Sequence, residues 1–234
     1  MVPIGIVTRD RAAYLDVTLR SLSATALPRD VSVTVFDDRS ADPATLTYYT
    51  TNKVVQVEPD WPMSASWRKF GLNVVSDDYK LPQGIRNVVQ VETLGDTPLG
   101  VVNASCAVVN AMFSKHKYAP GVLLLQDDVV FNANWYHRML DVAARAKEYT
   151  HQSLGLLSGL KLNHVFDAHA REAIAIASGI TAQCLYIPKS TYLSCRDYFL
   201  KSHTRMQKFD DTLRRRVVTQ GLWAGCINPF VCQP

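Results

Sequence analysis

Two pairs of adjacent aspartates stand where apolar runs of the sequence end. Asp37 and Asp38 follow the run VSVTVF, and Asp127 and Asp128 follow the run VLLLQ. Two carboxylates in one crevice repel each other unless a cation lies between them. A hard divalent cation such as Mg²⁺ or Mn²⁺ suits that place, because it takes oxygen ligands and is commonly held by one or two carboxylates together with substrate phosphates. The pairs therefore predict a site for a divalent cation and a nucleotide diphosphate, although an Asp-Asp pair after a strand is also a frequent turn and capping signal.

Other nucleotide chemistries need motifs that this sequence lacks. It contains no G-x-x-x-x-G-K-[ST], no G-x-G-x-x-G after a strand and no G-x-S-x-G. No glycine occurs between Gly5 and Gly71, so the turn after the first strand has no glycine-rich loop to cradle phosphates. This argues against a dinucleotide-dependent dehydrogenase. A sugar nucleotidyltransferase is weakened but stays open as the enzymatic alternative.

The elements that must position these carboxylates alternate along the chain. Strands are predicted over 3–8, 31–38, 52–58, 88–93, 121–126, 154–160 and 180–188. A first helix is predicted from Asp10 as N-cap, with Leu15, Leu19 and Leu22 on its core face. A second amphipathic helix is predicted from Asn132 or Asn134, with Trp135, Met139, Val142 and Ala146 facing the core. Further helices are predicted over 64–75, 101–116 and 210–220.

Alternating strands and helices favour an α/β fold with a mainly parallel sheet, in which buried strands become continuous apolar runs. Ligands of such sheets bind outside the carboxyl ends of the strands, where the strand order reverses. Both aspartate pairs end predicted strands, so we expect both to face one crevice.

The bulk composition is that of an ordinary globular protein. The chain has 234 residues, of which 47% are hydrophobic and 20% charged, and a net charge of +4. The start of the sequence does not resemble a signal peptide, and no apolar stretch is long enough for a membrane span. Five cysteines without a C-x-x-C pair indicate reduced, buried thiols. These features predict one domain in a cytoplasmic protein.

Two stretches near the N-terminus, IVTRDRAAYLDVTLRSL and VFDDRS, resemble the opening of GT-A glycosyltransferases. The resemblance implies that Thr8, Arg9, Asp37 and Asp38 hold the base and ribose of a nucleotide. Arg9 stands where many members of that family have an aromatic residue.

Three later stretches extend the resemblance. LLLQDDVVFNANWYHRML is similar to the DXD element, especially to the Glu-Asp-Asp form of the N-acetylglucosaminyltransferase I group, with Gln126 in place of the glutamate. This implies that Asp128 binds the metal and that Asp127 assists through ribose or water. KFDDTLRRR resembles the stretch that carries the catalytic base, which implies Asp211 with Asp210 as the neighbouring candidate. INPFVCQP looks like the segment in which many relatives end in a metal-binding histidine, where this sequence has Pro234.

The resemblance implies a GT-A type fold, with a Rossmann-like, mainly parallel central sheet flanked by helices. It also implies a single domain over 1–234, with a nucleotide-sugar-binding half at 1–130 and an acceptor-binding half at 131–234. The implied activity is a metal-dependent, inverting glycosyltransferase that uses Mn²⁺ or Mg²⁺ and a nucleotide-diphosphate sugar, with a UDP-sugar as the first choice.

The acceptor is the most open part of this interpretation. One candidate is a hydroxymethylated base in phage DNA, which would place the protein in the host cytoplasm. Phosphate contacts would then come from Lys201, Arg205, Lys208 and Arg214–Arg216. A cell-surface glycan is the alternative acceptor, and an inactive nucleotide-sugar-binding module is the alternative without catalysis. Trp61, Trp67 and Arg68 could form an acceptor wall, with ordinary packing as the favoured reading.

Overall fold

The computed structural model describes residues 1–28, 30–51, 89–94, 96–159, 174–175, 180–204, 208–227 and 232–233. We number the elements in chain order within these ranges. The helices are α1 Ala12–Ser23, α2 Pro43–Thr51, α3 Val101–Lys115, α4 Trp135–Thr150, α5 Lys189–Ser194, α6 Arg196–Leu200 and α7 Phe209–Thr219. The strands are β1 Ile4–Thr8, β2 Val33–Asp37, β3 Val89–Thr93, β4 Gly121–Gln126, β5 Val130–Phe131, β6 Leu154–Ser158, β7 Ile174–Ala175, β8 Cys184–Pro188, β9 Trp223–Ile227 and β10 Cys232–Gln233.

The described strands form an eight-stranded sheet in the order β3-β2-β1-β4-β8-β6-β9-β7, and β10 pairs with β5 in a separate two-stranded sheet. The pairs β1–β2, β2–β3, β1–β4 and β6–β9 are parallel, whereas β8 runs antiparallel to both of its neighbours and β7 is antiparallel to β9. The mainly parallel α/β sheet predicted from the sequence is therefore confirmed.

Two hydrophobic cores cover the two faces of the sheet. One core joins Ile4 and Ile6 of β1 to the apolar faces of α1 and α4. The other joins Val7 of β1 to α3, α6 and α7. Successive strand residues point to opposite faces, so β1 supplies both cores from neighbouring positions. Consequently α1 and α3 lie on opposite faces of the sheet.

The longest apolar patterns are confirmed. β4 covers 121–126 as predicted, and the predicted core faces of α1 and α4 are buried. The predicted strand at 88–93 and the predicted helices at 101–116 and 210–220 correspond to β3, α3 and α7, with bounds that differ by one residue. Of the segments in this paragraph, α1 and α4 combine length with a clear apolar period, which is a strong signal of an amphipathic helix.

The predicted N-cap of the first helix is wrong. The N-cap residue of α1 is Arg11, and Asp10 has a φ of 53°, outside the helical region. The Asp10 carboxylate instead accepts hydrogen bonds from the backbone N–H groups of Ala41 and Asp42, at 2.6 and 2.8 Å. Asp10 therefore joins the loop after β1 to the loop after β2, a long-range contact that competes with local capping.

Helices α2, α5 and α6 and strand β9 were not predicted, nor were the two-residue strands β5, β7 and β10. The sequence of α2, PATLTYYTT, has no clear apolar period, and its threonines and tyrosines are weak helix formers. The sequence nevertheless contains two helix-start signals, Asp42 and the Pro43 that follows it. In the structure, Asp42 accepts hydrogen bonds from the backbone N–H and hydroxyl of Thr45. The predicted strand at 52–58 and helix at 64–75, with Trp61, Trp67 and Arg68, lie outside the described residues.

Gly155 of β6 lies against α7 with no room for a side chain. A Cβ atom at this position would lie 2.1 Å from Cγ1 of Val217 and 3.1 Å from the backbone oxygen of Trp223. We expect Gly155→Ala to lower the free energy of unfolding by about 3 kcal/mol, because overpacking forces the backbone and side chains apart. Chemical denaturation measures this change.

A double variant distinguishes a steric clash from a general weakness of this strand. Because Val217 supplies the closest atom, Gly155→Ala combined with Val217→Ala should lose less stability than the sum of the two single changes. Additive losses would contradict the steric explanation.

Within the described ranges, the helices lack the combination of length and apolar character that a membrane span requires.

Candidate functional site

The candidate site lies where the strand order of the sheet reverses. β1 pairs with β2 on one side and with β4 on the other, and all three strands run in the same direction. The helix that follows β1 lies on one face, and α3, which precedes β4, lies on the other. The carboxyl ends of β1 and β4 therefore open into a crevice of the kind in which α/β sheets bind ligands.

Four side chains meet at this crevice and form what we call the carboxylate–arginine cluster: Thr8, Arg11, Asp127 and Asp128. The Thr8 hydroxyl donates to Oδ2 of Asp127 at 2.6 Å. Nη1 of Arg11 donates to Oδ1 of Asp127 at 2.8 Å, and Nη2 donates to Oδ2 of Asp128 at 3.1 Å. One guanidinium therefore bridges both carboxylates, which uses the fork geometry that distinguishes arginine from lysine.

The two aspartates of the cluster differ in burial. Asp127 is 2% exposed, and burial raises its pKa to about 6 even though Thr8 and Arg11 oppose the shift. Both of its carboxylate oxygens are engaged by these two neighbours. Although Arg11 is partly buried, the adjacent Asp127 and Asp128 carboxylates raise its pKa, so the guanidinium keeps its charge. Asp127 therefore serves to fix the geometry of the cluster.

Asp128 is the more exposed of the two carboxylates in the cluster. Its side chain is 19% exposed, and its Oδ1 atom is buried without a hydrogen-bond partner among the described residues. A buried carboxylate oxygen without a partner is destabilising, and a hard cation would satisfy it. In the described part of the chain, no group of three His, Cys, Asp or Glu side chains is arranged to hold a metal. Asp128 thus fits a site in which the protein supplies one or two oxygens and a phosphate-bearing ligand supplies others.

The backbone of the Asp127–Asp128 turn is held by helix α1. The Thr18 hydroxyl donates to the backbone oxygen of Asp127 at 2.9 Å and accepts from the backbone N–H of Val129 at 2.9 Å. One turn further along the helix, the Ser21 hydroxyl accepts from the backbone N–H of Phe131 at 2.8 Å. These contacts fix the turn from outside its own strand, and the sequence analysis missed both residues.

The second aspartate pair lies at the same edge of the sheet, but its carboxylates are occupied. Asp37 pairs in register with Thr8 and accepts hydrogen bonds from the backbone and hydroxyl of Ser40 and from the Tyr49 hydroxyl. Asp38 accepts from the backbone N–H groups of Leu99 and Gly100, at 2.7 and 2.9 Å. Both side chains are buried, at 3% exposure. This pair therefore organises the loops at the edge of the crevice.

Arg9 lies at the rim of the crevice. It is exposed, and its Nε atom lies 3.5 Å from Oδ2 of Asp10. Asp10 also binds the loop after β2. Arg9 is therefore close to the predicted nucleotide position, with its side chain largely in solvent.

A cavity of about 440 Å³ lies beside the end of β4, on the face of the sheet that α3 and α7 cover. Gln126, the residue before Asp127, contributes to its lining, together with Gly100 and Asn103 at the start of α3. Lys208 and Asp210, at the start of α7, line it from a different part of the chain. The cavity thus brings a carboxylate and a cation from the second half of the chain next to the end of β4.

The two candidate bases have different surroundings. The Asp211 carboxylate lies 2.8 Å from Nη2 of Arg215 and 3.4 Å from Nη2 of Arg214. Although desolvation acts in the opposite direction, hydrogen bonds from Arg215 and Arg214 lower the pKa of Asp211 below its ordinary value. Asp210 lines the cavity, and its Oδ1 accepts from the backbone N–H of Asp211 at 2.8 Å. Of the two, Asp210 is the carboxylate that faces space for a ligand.

The arginines that the sequence suggested for DNA phosphates have acidic partners. Arg214 and Arg215 pair with Asp211, and Arg216 pairs with Asp197. Lys201 and Lys208 are exposed. Arg205 and Pro234 lie outside the described residues, so the phosphate contact of Arg205 and the replacement of a metal-binding histidine by Pro234 stay predictions.

Arg11 is the cluster member that sequence reasoning missed. It occupies the N-cap of α1, where the helix dipole favours acidic groups and disfavours cations. An arginine at such a position, soon after a strand that is expected to end at an acidic crevice, indicates a carboxylate partner. The sequence shows an arginine soon after a predicted strand, but its position at the N-cap and its two partners come from the structure.

No protein-family model and no curated protein matches the chain. Several solved structures, however, match the chain. The mannosyltransferase PcManGT from Pyrobaculum calidifontis, in complex with GDP-Man and Mn²⁺, matches with a TM-score of 0.61 and 14% identity, over 99% of this chain and 55% of that one. S. aureus TarS 1-349 matches with a TM-score of 0.54 and 18% identity, over 99% of this chain and 60% of that one. Its complex with UDP-GlcNAc matches with a TM-score of 0.53, at 16% identity and over 58% of that chain.

The chain thus spans little more than half the length of the structures it matches. At these identities the likeness concerns the fold, and it confirms the expected α/β fold of the GT-A type. The resemblance to the N-acetylglucosaminyltransferase I group or to a phage DNA glycosyltransferase stays a prediction.

Proposed function

We propose that the chain is a glycosyltransferase that takes its sugar from a nucleotide-diphosphate sugar. The observation that carries the proposal is the carboxylate–arginine cluster at the point of strand reversal, with one buried carboxylate oxygen of Asp128 lacking a partner among the described residues. The fold adds support, since solved structures of the same fold contain GDP-Man or UDP-GlcNAc.

The donor half of the proposed site is built on β1, β2 and β4. Asp128 would hold a divalent cation, Mn²⁺ or Mg²⁺, which would neutralise the diphosphate leaving group. Asp127 would position Asp128 and Arg11, because both of its oxygens are already engaged. The resemblance places the base and ribose near Thr8, Arg9, Asp37 and Asp38. Since Asp37 and Asp38 are bound to neighbouring loops, we propose that they act by shaping the nucleotide pocket.

The acceptor half is the cavity beside Gln126. We propose that Asp210, which lines this cavity, takes the proton of the acceptor hydroxyl while the oxygen attacks the anomeric carbon. The new C–O bond forms as the bond to the diphosphate breaks, and the nucleotide diphosphate leaves. A single displacement of this kind inverts the anomeric centre. Asp211 is the weaker candidate, because the carboxylate with the lowered pKa is the poorer base.

The acceptor itself is the least constrained part of the proposal. A hydroxymethylated base in DNA would require cations on the surface for its phosphates. Three of the arginines considered for that task are paired with Asp211 or Asp197. This favours a carbohydrate acceptor over duplex DNA. Binding of duplex DNA at low salt is the observation that would reverse the preference.

The first test is thermal stability in the presence of nucleotide diphosphates and UDP- or GDP-sugars, with and without Mn²⁺. A ligand that binds the folded state at a hundred times its dissociation constant stabilises it by about 2.7 kcal/mol. For a chain of this size we expect a rise in Tm of about 5–10 °C that requires both nucleotide and metal. No rise with any nucleotide would contradict the proposal.

Two other activities give different results in the same samples. A sugar nucleotidyltransferase would consume a nucleoside triphosphate and release pyrophosphate. An inactive binding module would show the rise in Tm without release of nucleotide diphosphate from any donor.

A further inference from the structure

Arg11 occupies the space between the two carboxylates in which a divalent cation would be expected. Its guanidinium lies 2.8 Å from Asp127 and 3.1 Å from Asp128. Two adjacent carboxylates are stabilised by a cation between them, and in this conformation the chain supplies that cation from the N-cap of its first helix. The local charge of the pair is thereby reduced from −2 to −1, which weakens its attraction for a free metal ion.

The position of Arg11 is also held from its other side. The guanidinium carbon lies 4.2 Å from the centre of the Tyr14 ring, within the range of a cation–π interaction. Arg11 precedes the first turn of α1, where the helix dipole alone would disfavour it. A cation at this end of the helix is stabilised by its carboxylate and aromatic partners, so the arrangement is specific to the cluster.

Asp128 has one carboxylate oxygen that the Arg11 bridge leaves unused. Arg11 binds Oδ2 of Asp128, whereas Oδ1 is buried and has no partner within the described residues. Asp127, in contrast, is held at both oxygens by Thr8 and Arg11. The contact with Asp128 is the longer of the two Arg11 contacts, and it is the one that an ion on Asp128 would replace.

We propose that Arg11 is an internal counter-cation that keeps the metal affinity of the free protein low, so that the divalent cation binds together with the nucleotide diphosphate. This rests on the proposed function. Nη2 of Arg11 would leave Oδ2 of Asp128 when Asp128 holds the ion, while Nη1 would stay on Asp127. The diphosphate supplies the negative charge that the bridged pair lacks, which gives the ion enough oxygen ligands and the freed guanidinium an anionic neighbour.

The proposal is tested with Mn²⁺ alone, by titrating the protein and measuring the free ion from its paramagnetic resonance signal. We expect Arg11→Met to bind Mn²⁺ about tenfold more tightly than the natural chain in the absence of nucleotide, because a charge-assisted contact no longer competes. Arg11→Lys should lie between them, since an ammonium keeps the charge but lacks the fork that bridges two carboxylates.

Arg145→Met is the matched control. Arg145 also pairs with an aspartate, Asp141, and also lies over a tyrosine ring, at 5.2 Å from the centre of Tyr149, but it belongs to the exposed face of α4. It should leave Mn²⁺ affinity unchanged. Thermal stability gives a second readout. Without metal, Arg11→Met should have a lower Tm than the natural chain, because Asp127 and Asp128 lose their cation. Addition of Mn²⁺ should raise the Tm of Arg11→Met more than that of the natural chain, because the ion then takes the place of the guanidinium.

The outcomes separate this inference from the proposed function. Equal or weaker Mn²⁺ binding by Arg11→Met overturns the inference and leaves the glycosyltransferase proposal intact if nucleotide and metal still raise the Tm together. Absence of Mn²⁺ binding by every variant, with or without nucleotide, also overturns it, and binding of nucleotide sugars in EDTA then decides whether the proposed function survives without metal.

Discussion

Asp128→Asn is expected to lower the rate of nucleotide-diphosphate release from a sugar donor about a thousandfold and to abolish the joint effect of nucleotide and Mn²⁺ on Tm. The amide keeps the shape of the carboxylate but removes the charge that would hold the ion. Loss of metal assistance to a diphosphate leaving group is worth several kcal/mol, and each 1.36 kcal/mol is a factor of ten in rate. The fold should persist, because Asp128 is partly exposed and one of its oxygens has no partner among the described residues.

Asp141→Asn is the control for this change. Asp141 is an exposed aspartate of α4 that also pairs with an arginine, and it lies outside the crevice. It should leave both release and nucleotide binding unaltered. Metal-dependent activity in Asp128→Asn at the level of this control would show that the ion binds elsewhere, and the proposed donor site would have to be abandoned.

The second large effect is expected at Asp210. Asp210→Asn should lower kcat by about 10² to 10⁴-fold, the usual contribution of a general base, while donor affinity measured by thermal shift stays within a factor of about two. Asp211→Asn provides a comparison of the same chemistry at the adjacent position. Because Asp211 is engaged by Arg214 and Arg215, its loss should affect kcat less than about tenfold and should instead lower stability slightly.

The comparison decides between two bases that sequence alone could not separate. A larger loss of kcat in Asp211→Asn than in Asp210→Asn would make Asp211 the base, as the resemblance implies. Losses that are small in both variants would place the base outside α7. Release of nucleotide diphosphate to water as acceptor suffices for this measurement, so the natural acceptor need not be known.

Sequence reasoning located the sheet because buried parallel strands leave a strong trace. The run GVLLLQ is apolar without alternation, as a strand covered on both faces must be, and it coincides with β4. The leucines of α1 recur with the period of a helix and are buried against the first core. From these two elements the position of the Asp127–Asp128 turn at the edge of the sheet follows directly.

Sequence reasoning could not find the contacts between side chains that are distant along the chain. Nothing near Arg11 in the sequence reveals that its partners are Asp127 and Asp128, and nothing near Thr18 reveals that it holds the backbone of that turn. Likewise, nothing near Asp37 and Asp38 in the sequence reveals that Tyr49 and the amides at 99–100 donate hydrogen bonds to them. A carboxylate that ends a strand can bind a ligand or a neighbouring loop, and only the fold distinguishes the two.

The hydrogen bonds from Leu99 and Gly100 to Asp38 bear on how this scaffold can vary. They join the end of β2 to the start of α3, while β3 pairs with β2 along its length, so residues far apart along the chain meet at one edge of the sheet. The entropy of closing a loop between fixed ends rises slowly with length, by about 0.6 kcal/mol for each doubling. Because this cost depends so weakly on length, the contacts between Asp38 and the amides of Leu99 and Gly100, 61 and 62 residues away, can hold the edge of the crevice at little further expense whatever the exact length of the span they close.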